Sequence, residues 1–443
     1  MIACLLGGAA MVLGGGGSPA PIPEMMLQVL AACAAALWIL VSRRTFPFVS
    51  VDRTVWIVAA FVLALPVIQL VPLPPFIWQA MKGRDVMASA LDLVGEKDSW
   101  RPWTLDSGRT LAALLATLPP VAFLVMVASL RRGGRMAVVG VMVAMAGVSL
   151  VIGAGQIAGG DSDALRFYAR GQGFLTGFQA NHSATADVLL IAMVGALAAI
   201  RDYADFHPVS RFTPGYRLVT SAGVVAMFTI GVVLTGSRGG MLLLPLAWAA
   251  CLMLVWPLLR VPNRTILLAG AAVLVAIVAG IILSGKGLTG QAVDRFAQSS
   301  ELRPQIWAST MFVVKQYFPW GAGMGNFMAV FAAAEPLETV SSAVVNRAHN
   351  DYLELLVEGG VFGAMALTGL SWTLAGLARK AWQKAPAGSR AQVVFSLTAL
   401  AVIALHSIVD YPLRSMSLAY VAATAVALLM PLGGWGETRN ANA

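Results

Sequence analysis

Apolar runs about 20 residues long recur along the whole chain, and no other feature restricts its fold as strongly. A run of that length can cross the hydrocarbon core of a bilayer as an α-helix, which satisfies its own backbone hydrogen bonds. The composition agrees, since 12% of the residues are charged, against about 25% in soluble domains. The sequence therefore predicts an all-α, polytopic membrane protein.

The hydrophobic pattern divides into about twelve spans, which would place both termini on one side of the membrane. Their approximate ranges are 2–17, 24–42, 54–78, 109–130, 136–157, 183–200, 217–236, 240–260, 265–284, 352–378, 391–409 and 415–432. The first span could be a signal peptide, but no Lys or Arg precedes it. We interpret it as a retained helix.

The loops between these spans differ in charge on the two sides. One set of loops holds sixteen basic residues: Arg43, Arg44, Arg53, Arg131, Arg132, Arg135, Arg201, Arg211, Arg217, Arg260, Arg264, Arg379, Lys380, Lys384, Arg390 and Arg439. Four acidic residues accompany them: Asp52, Asp202, Asp205 and Glu437. Short basic loops are typically cytoplasmic. The formal charge of +9 is thus explained by topology, and we expect no nucleic-acid partner.

The opposite side carries three longer loops, at 79–108, 158–182 and 285–351. In the first, Trp100 and Trp103 suit an interfacial position. The third is too long for a simple connector. Within it, residues 303–318 read as an amphipathic helix and residues 319–327, PWGAGMGNF, as a Gly-rich turn. We expect the functional site on this side.

Residues 346–360, NRAHNDYLELLVEGG, place His349 among Arg347, Asn350 and Tyr352 at the start of an apolar helix. A helix N-terminus favours the neutral imidazole, the form that accepts a proton. His349 is therefore a candidate general base, with headgroup anchoring or a structural histidine as alternatives. Gly359, Gly360 and Gly363 suggest close helix packing.

Two arginines are candidates for holding an anionic group. Arg238 lies between two spans beside Gly239 and Gly240, where a bulky phosphate could approach and the guanidinium could bind it bidentately. Arg303 precedes Pro304 at a predicted helix start, where an anion would be favoured. The alternatives are snorkelling of Arg238 to the headgroups and an ion pair of Arg303 with Glu301.

Other polar residues are predicted on the same side of the membrane, near His349. His406 and Asp410 are spaced i, i+4 and could face each other as supporting residues. Asn181, His182 and Arg414 are candidate substrate contacts. Asp161 and Asp163 form a D-x-D, but no His and carboxylate cluster has metal-ligand spacing, so we expect neither a metal nor a cofactor.

With these motifs the chain resembles the O-antigen ligase and polymerase superfamily of bacterial envelope enzymes, most strongly over 173–370. Arg238 and Leu242 fit the family's R-x-x-x-L pattern, and His349 and Gly360 fit H-x₁₀-G. Arg303 stands where members carry a second essential Arg. Residues 178–184, FQANHSA, are similar to the stretch N-x-N-H-F-A, with Gln179 and Ser183 as departures.

The resemblance implies a core at 173–370, including the loop 285–351, between N-terminal helices at 1–172 and C-terminal helices at 371–443. It implies an inverting, metal-independent glycosyltransferase of the inner membrane with a periplasmic site. The donor would be a glycan on undecaprenyl diphosphate. The acceptor would be the lipid A core in a ligase and another lipid-linked repeat unit in a polymerase. A lipid-linked glycan flippase is the alternative from another functional class. A flippase should have polar residues at the membrane midplane, whereas the polar residues of this sequence cluster at one face, which favours an enzyme.

Overall fold

The computed structural model describes residues 1–17, 21–42, 51–159, 165–168, 173–206, 213–259, 264, 303–338, 340, 344–384 and 390–431. Its α-helices in these ranges are α1 Ile2–Leu13, α2 Pro21–Val41, α3 Arg53–Gln69, α4 Pro75–Trp78, α5 Asp85–Leu93, α6 Ser107–Ala128, α7 Arg132–Ala158, α8 His182–Phe206, α9 Pro214–Leu234, α10 Arg238–Val255, α11 Arg303–Tyr317, α12 Phe327–Ala334, α13 Asp351–Lys384, α14 Arg390–His406 and α15 Met416–Leu429. Two short strands, β1 Pro72–Leu73 and β2 Arg101–Pro102, pair antiparallel.

Seven helices in the described ranges are long and apolar enough to cross a membrane, namely α2, α6, α7, α8, α9, α10 and α13. Four shorter apolar helices, α1, α3, α14 and α15, coincide with further predicted spans. The predicted span 265–284 lies outside the described residues. The all-α, multi-pass membrane fold is confirmed, whereas the count of twelve spans stays a prediction.

Helix α8 lies at the centre of the bundle, with α7, α9, α10 and α14 around it. Within its apolar window 83% of the residues are buried, against 11% for α13. Small residues allow the close approach of its neighbours, because a Cβ at Gly240 of α10 would lie 2.4 Å from the Cβ of Ala186. Such contacts are typical of helix packing in membranes.

Helix α3 is shorter than the sequence suggested, and the predicted span 54–78 is wrong at its C-terminal end. The helix stops at Gln69, and the two-residue ribbon and α4 occupy the rest. Prolines at 72, 74 and 75 supply no amide donor to continue a helix. The Gln69 side chain instead accepts from Met324 N (2.8 Å) and donates to Glu358 O (3.0 Å), so it joins the ribbon to the site loops.

The interfacial position predicted for Trp100 and Trp103 stays a prediction, and the two residues differ in exposure, since Trp100 is 65% exposed. Trp103 is buried, with its ring edge-on to Trp320 (6.0 Å) and Phe362 (4.9 Å). Buried Arg84 donates to the carbonyls of Trp103 and Gly321, and burial lowers the pKa of its guanidinium to about 10. The loop 79–108 therefore packs onto the Gly-rich turn.

The predicted helix at 303–318 is confirmed as α11, which buries Thr310, Val313, Val314 and Tyr317. Its predicted amphipathic character is not, because the apolar side chains of Met311 and Phe312 are exposed. The predicted turn follows it, with positive φ at Gly321 (81°), Gly323 (103°) and Gly325 (84°). Only glycine adopts such angles readily. The turn amides donate to carbonyls of α13, Ala322 N to Val357 O (2.8 Å) and Gly323 N to Glu358 O (2.9 Å).

These carbonyls are available because α13 is kinked at Gly360, where φ is 55° and ψ is −141°. A Cβ at Gly360 would lie 2.0 Å from Pro319 O, and Val361 N donates to that oxygen (2.9 Å). Gly359 does pack closely, since its Cβ would lie 2.8 Å from Leu65. For Gly360 the helix-packing interpretation is wrong, because this glycine forms the kink that holds the turn.

Candidate active site

His349 lies in a strained backbone conformation directly before α13. Its φ is +50°, and no other non-glycine residue in the described ranges has a positive φ. Asn350 caps the helix, with its Oδ1 accepting from Leu353 N (3.0 Å). Non-glycine residues at positive φ are uncommon and concentrate at functional sites. The side chain is 30% exposed, so the imidazole is held in a fixed position yet remains reachable.

Asp410 lies beside this imidazole, with Oδ1 3.4 Å from His349 Nδ1. Tyr411 N donates to the same carboxylate (3.0 Å), and Asn181 Nδ2 lies 3.5 Å from Oδ2. Burial would raise the pKa of Asp410, but the adjacent His349, together with the charges of His406 and Arg303, lowers it below its ordinary value. Since Nδ1 faces the carboxylate at 3.4 Å, Nε2 is the ring nitrogen directed away from Asp410.

Arg303 and His349 are joined by α11. Arg303 is its first residue, and one turn later Trp307 Nε1 donates to Ala348 O (3.0 Å). The Arg303 charge acts on both Asp410 and His406. The alternative partner, Glu301, lies outside the described residues. Arg303 therefore contributes positive charge close to the His349–Asp410 pair.

Arg238 opens α10, where Ser237 caps the helix by accepting from Gly240 N (3.1 Å). A Cβ on the adjacent Gly239 would lie 2.4 Å from His406 Nε2, so the start of α10 packs directly on that imidazole. His406 Nδ1 is in turn 2.5 Å from Asp187 Oδ1. The glycine beside Arg238 thus serves packing against His406 and leaves Arg238 partly exposed.

The predicted facing pair of His406 and Asp410 is wrong. Helix α14 ends at His406, so Asp410 is beyond the helix and turns toward His349, while His406 turns toward Asp187. The two acid–imidazole pairs nevertheless adjoin, since Asp410 N donates to His406 O (2.8 Å).

One and two turns after the start of α13, the buried carboxylates of Glu354 and Glu358 bind two arginines. Arg414 Nη2 lies 3.0 Å from both Glu354 Oε1 and Glu358 Oε2, and Arg347 Nη1 donates to Glu354 (2.8 Å). Burial opposes the charge of Arg414, but these carboxylates raise its pKa above the ordinary value. Glu358 also accepts from Gly325 N (2.9 Å). Arg347 and Arg414 thus fix α13 to its surroundings, and their predicted contact with substrate stays a prediction.

Three other predicted contacts have partners inside the protein. The Tyr352 hydroxyl donates to Ala404 O (2.7 Å). The ring of His182 stacks on Phe174 at 5.2 Å. Asn181 Oδ1 accepts from Ser183 N (2.8 Å) at the start of α8. Asn181 also contacts the His349–Asp410 pair, since its Nδ2 lies 3.5 Å from Asp410 Oδ2.

The tetraglycine at 14–17 also belongs to this end of the bundle, which sequence reasoning missed. Gly14 O accepts from Ser417 N (3.0 Å), and Gly15 O accepts from Ala180 N (2.9 Å). A Cβ at Gly15 would lie 2.0 Å from Phe178 O. A cavity of about 10 Å³ remains between this turn, Asn181, Asp187 and Asp410, which is room for about one water molecule.

In the ranges that the structure describes, no group of three His, Cys, Asp or Glu residues is arranged to hold a metal ion. Asp161 and Asp163 lie outside those ranges.

Comparison with known families identifies part of the chain. Residues 222–368 match the family model described as O-antigen ligase. The match contains Arg238, Leu242, Arg303, His349 and Gly360, whereas the similar stretch at 178–184 lies outside it. No curated protein matches the chain.

Proposed function

From its membership of the O-antigen ligase and polymerase superfamily of membrane glycosyltransferases, we propose that this protein transfers a glycan from undecaprenyl diphosphate to an acceptor hydroxyl. The acceptor we propose is the lipid A core, which makes the protein a ligase. One observation carries the proposal, namely a strained, partly exposed His349 beside buried Asp410, with the charge of Arg303 close by.

The reaction needs a base, because an acceptor hydroxyl is a weak nucleophile. His349 Nε2 takes the hydroxyl proton as the oxygen attacks C1 of the donor sugar. The bond from C1 to the diphosphate oxygen breaks, and the diphosphate leaves with the electron pair. Attack from the face opposite the leaving group inverts the anomeric configuration.

Negative charge builds on the diphosphate as it leaves. Arg238 and Arg303 stabilise that charge through fixed guanidinium donors, which act most strongly in the transition state. The proposed substrate-binding site includes further residues in addition to this pair of arginines and His349. They are Asn181, His182, Arg347, Asn350, Tyr352, His406 and Arg414. In this proposal no metal takes part, and the activity of purified protein survives EDTA.

The site faces the periplasm of a bacterial inner membrane in this proposal. The support is the charge asymmetry of the loops. Of the basic-loop residues that the structure describes, Arg201, Lys384 and Arg390 lie at the ends of α8, α13 and α14 away from His349. The polyprenyl chain of the donor would lie between helices, within the bilayer.

Reconstitution tests the proposal. Purified protein in nanodiscs is supplied with undecaprenyl-diphosphate-linked glycan and either lipid A core or a second lipid-linked repeat unit. A ligase joins the glycan to lipid A core, and a polymerase lengthens the lipid-linked glycan. Transfer to neither acceptor by wild-type protein, with lipid-linked glycan bound, would refute the enzymatic proposal and favour a carrier of such lipids.

A further inference from the structure

A second, larger cavity lies at the end of the bundle opposite His349. It is about 630 Å³, is open on one side, and is bordered by the starts of α3, α7 and α14 and the ends of α13 and α15. Its lining includes Arg53, Ile57, Trp372, Lys380, Lys384 and Leu428. The charge asymmetry of the loops predicts that this end is cytoplasmic.

The wall combines apolar surface with exposed positive charge. Ile57, Leu377, Leu428 and Leu429 supply the apolar side, and the Trp372 side chain is 83% exposed beside them. Arg53, Lys380 and Lys384 are exposed. Among the residues that the structure describes, no carboxylate lies within ion-pair distance of these three. An apolar slot beside clustered cations is complementary to an anionic amphiphile.

The fourth cation of the lining, Arg135, has a different role. It is buried, and its guanidinium donates to the carbonyls of Leu130 (3.0 Å), Ala427 and Met430 (both 2.8 Å) and to that of Ala128 (2.5 Å). Arg135 therefore fixes the end of α15 as a rigid wall. Among the described residues of the lining, the acidic one is Asp52, which accepts from Thr54 N (2.8 Å) as a helix cap.

We propose that this cavity binds an anionic phospholipid of the adjacent leaflet. The lipid phosphate lies between Arg53, Lys380 and Lys384, and an acyl chain follows the apolar wall formed by Ile57, Leu377 and Leu428. The site is separate from the His349 site, so its occupancy is tested independently of glycan transfer.

Native mass spectrometry tests the site with two probes, palmitoyl-oleoyl phosphatidylglycerol and palmitoyl-oleoyl phosphatidylcholine, titrated onto delipidated protein. The test variant is R53Q/K380Q/K384Q. The matched control is R131Q/R379Q/R390Q, which removes three exposed arginines outside the lining, from the same end of the bundle. Unfolding temperatures in detergent check that both variants fold.

Wild-type protein and the control should retain one phosphatidylglycerol in preference to phosphatidylcholine. The test variant should bind it roughly 10²-fold more weakly, because each basic residue near a lipid surface contributes about a fivefold effect. Equal losses in both variants would show diffuse surface attraction and overturn the proposal. Equal retention of both lipids by wild-type protein would overturn it as well.

Discussion

The two ends of the helix bundle are built differently. At the His349 end, buried acids pair with two histidines and two arginines, glycine turns interlock, and the cavity beside Asp410 is about 10 Å³. At the opposite end, Arg53, Lys380 and Lys384 line a cavity of about 630 Å³. One end fixes a few side chains in a single geometry, and the other leaves a wide, basic slot. The contrast indicates that the proposed function of the His349 end depends on the exact positions of its side chains. The proposed lipid binding at the other end depends mainly on charge.

The largest effect should come from His349. In His349→Ala, transfer should fall roughly 10²–10⁴-fold, the range typical of the loss of a general base. Donor binding should change little, because Arg238 and Arg303 are the proposed ligands of the diphosphate. Single-turnover transfer and donor binding, measured separately, check both statements.

His406→Ala is the comparison variant, because His406 is bonded to Asp187 and packs on Gly239. Loss of transfer in this variant with normal turnover in His349→Ala would mean that the base has been assigned to the wrong histidine.

Glycines on α13 test the difference in packing between the two ends. Gly360→Ala places a Cβ at φ 55° and 2.0 Å from Pro319 O. We expect a loss of about 2–4 kcal/mol in unfolding free energy, from backbone strain and the clash. Thermal unfolding in one detergent measures the change.

Gly376→Ala is the matched control on the same helix. A Cβ there meets no atom within 4 Å, and Ala is favoured over Gly in helices by about 1 kcal/mol. This variant should be neutral or slightly more stable. Equal destabilisation by both substitutions would remove the contrast between the two ends.

Gly360 also illustrates what the sequence could predict. The resemblance pointed to this glycine through the family's H-x₁₀-G pattern, and the apolar runs predicted the helices because such runs are a local signal. The Gly-rich turn at 321–325 was predictable for the same reason. That Gly360 forms a kink depends on Pro319 O, a contact with another segment that local pattern does not reveal.

Most side-chain pairings within the site could not be predicted from the sequence. His406 and Asp187 are 219 positions apart, and Ser415 and Gly14, which share a hydrogen bond, are 401 apart. The i, i+4 spacing of His406 and Asp410 suggested a pair that the end of α14 prevents. Side chains were placed correctly where one helix start determined them, as for His349 and Arg303.

The arginines test whether geometry or charge matters at each end. Arg238→Lys and Arg303→Lys keep the charge but lose the planar, bidentate donor. Turnover should fall about 10- to 100-fold, since a hydrogen bond to a charged group contributes about 1.5–3 kcal/mol. Arg53→Lys at the other end should leave both transfer and phosphatidylglycerol binding unchanged. Normal turnover in Arg303→Lys would favour a plain ion pair with Glu301.

The smallest effect should come from Asp410, which orients His349 without touching the substrate. Asp410→Asn removes the charge beside Nδ1, and turnover should fall roughly tenfold. Asp410 is also the group whose protonation should be visible in stability. Its pKa is lowered because His349, His406 and Arg303 together outweigh burial.

A lowered pKa means that the folded state favours the carboxylate. Asp410 therefore contributes its full stability above the unfolded pKa of about 3.9, and this contribution is lost as pH falls through the lower folded value. Wild-type unfolding temperature should thus drop more steeply than that of Asp410→Asn below about pH 4. Profiles that stay parallel from pH 7 to about pH 3 would show that Asp410 is not held as a carboxylate by these cations. The tenfold loss of turnover would then need another cause, such as a shift of Asn181, whose Nδ2 lies 3.5 Å from the same carboxylate.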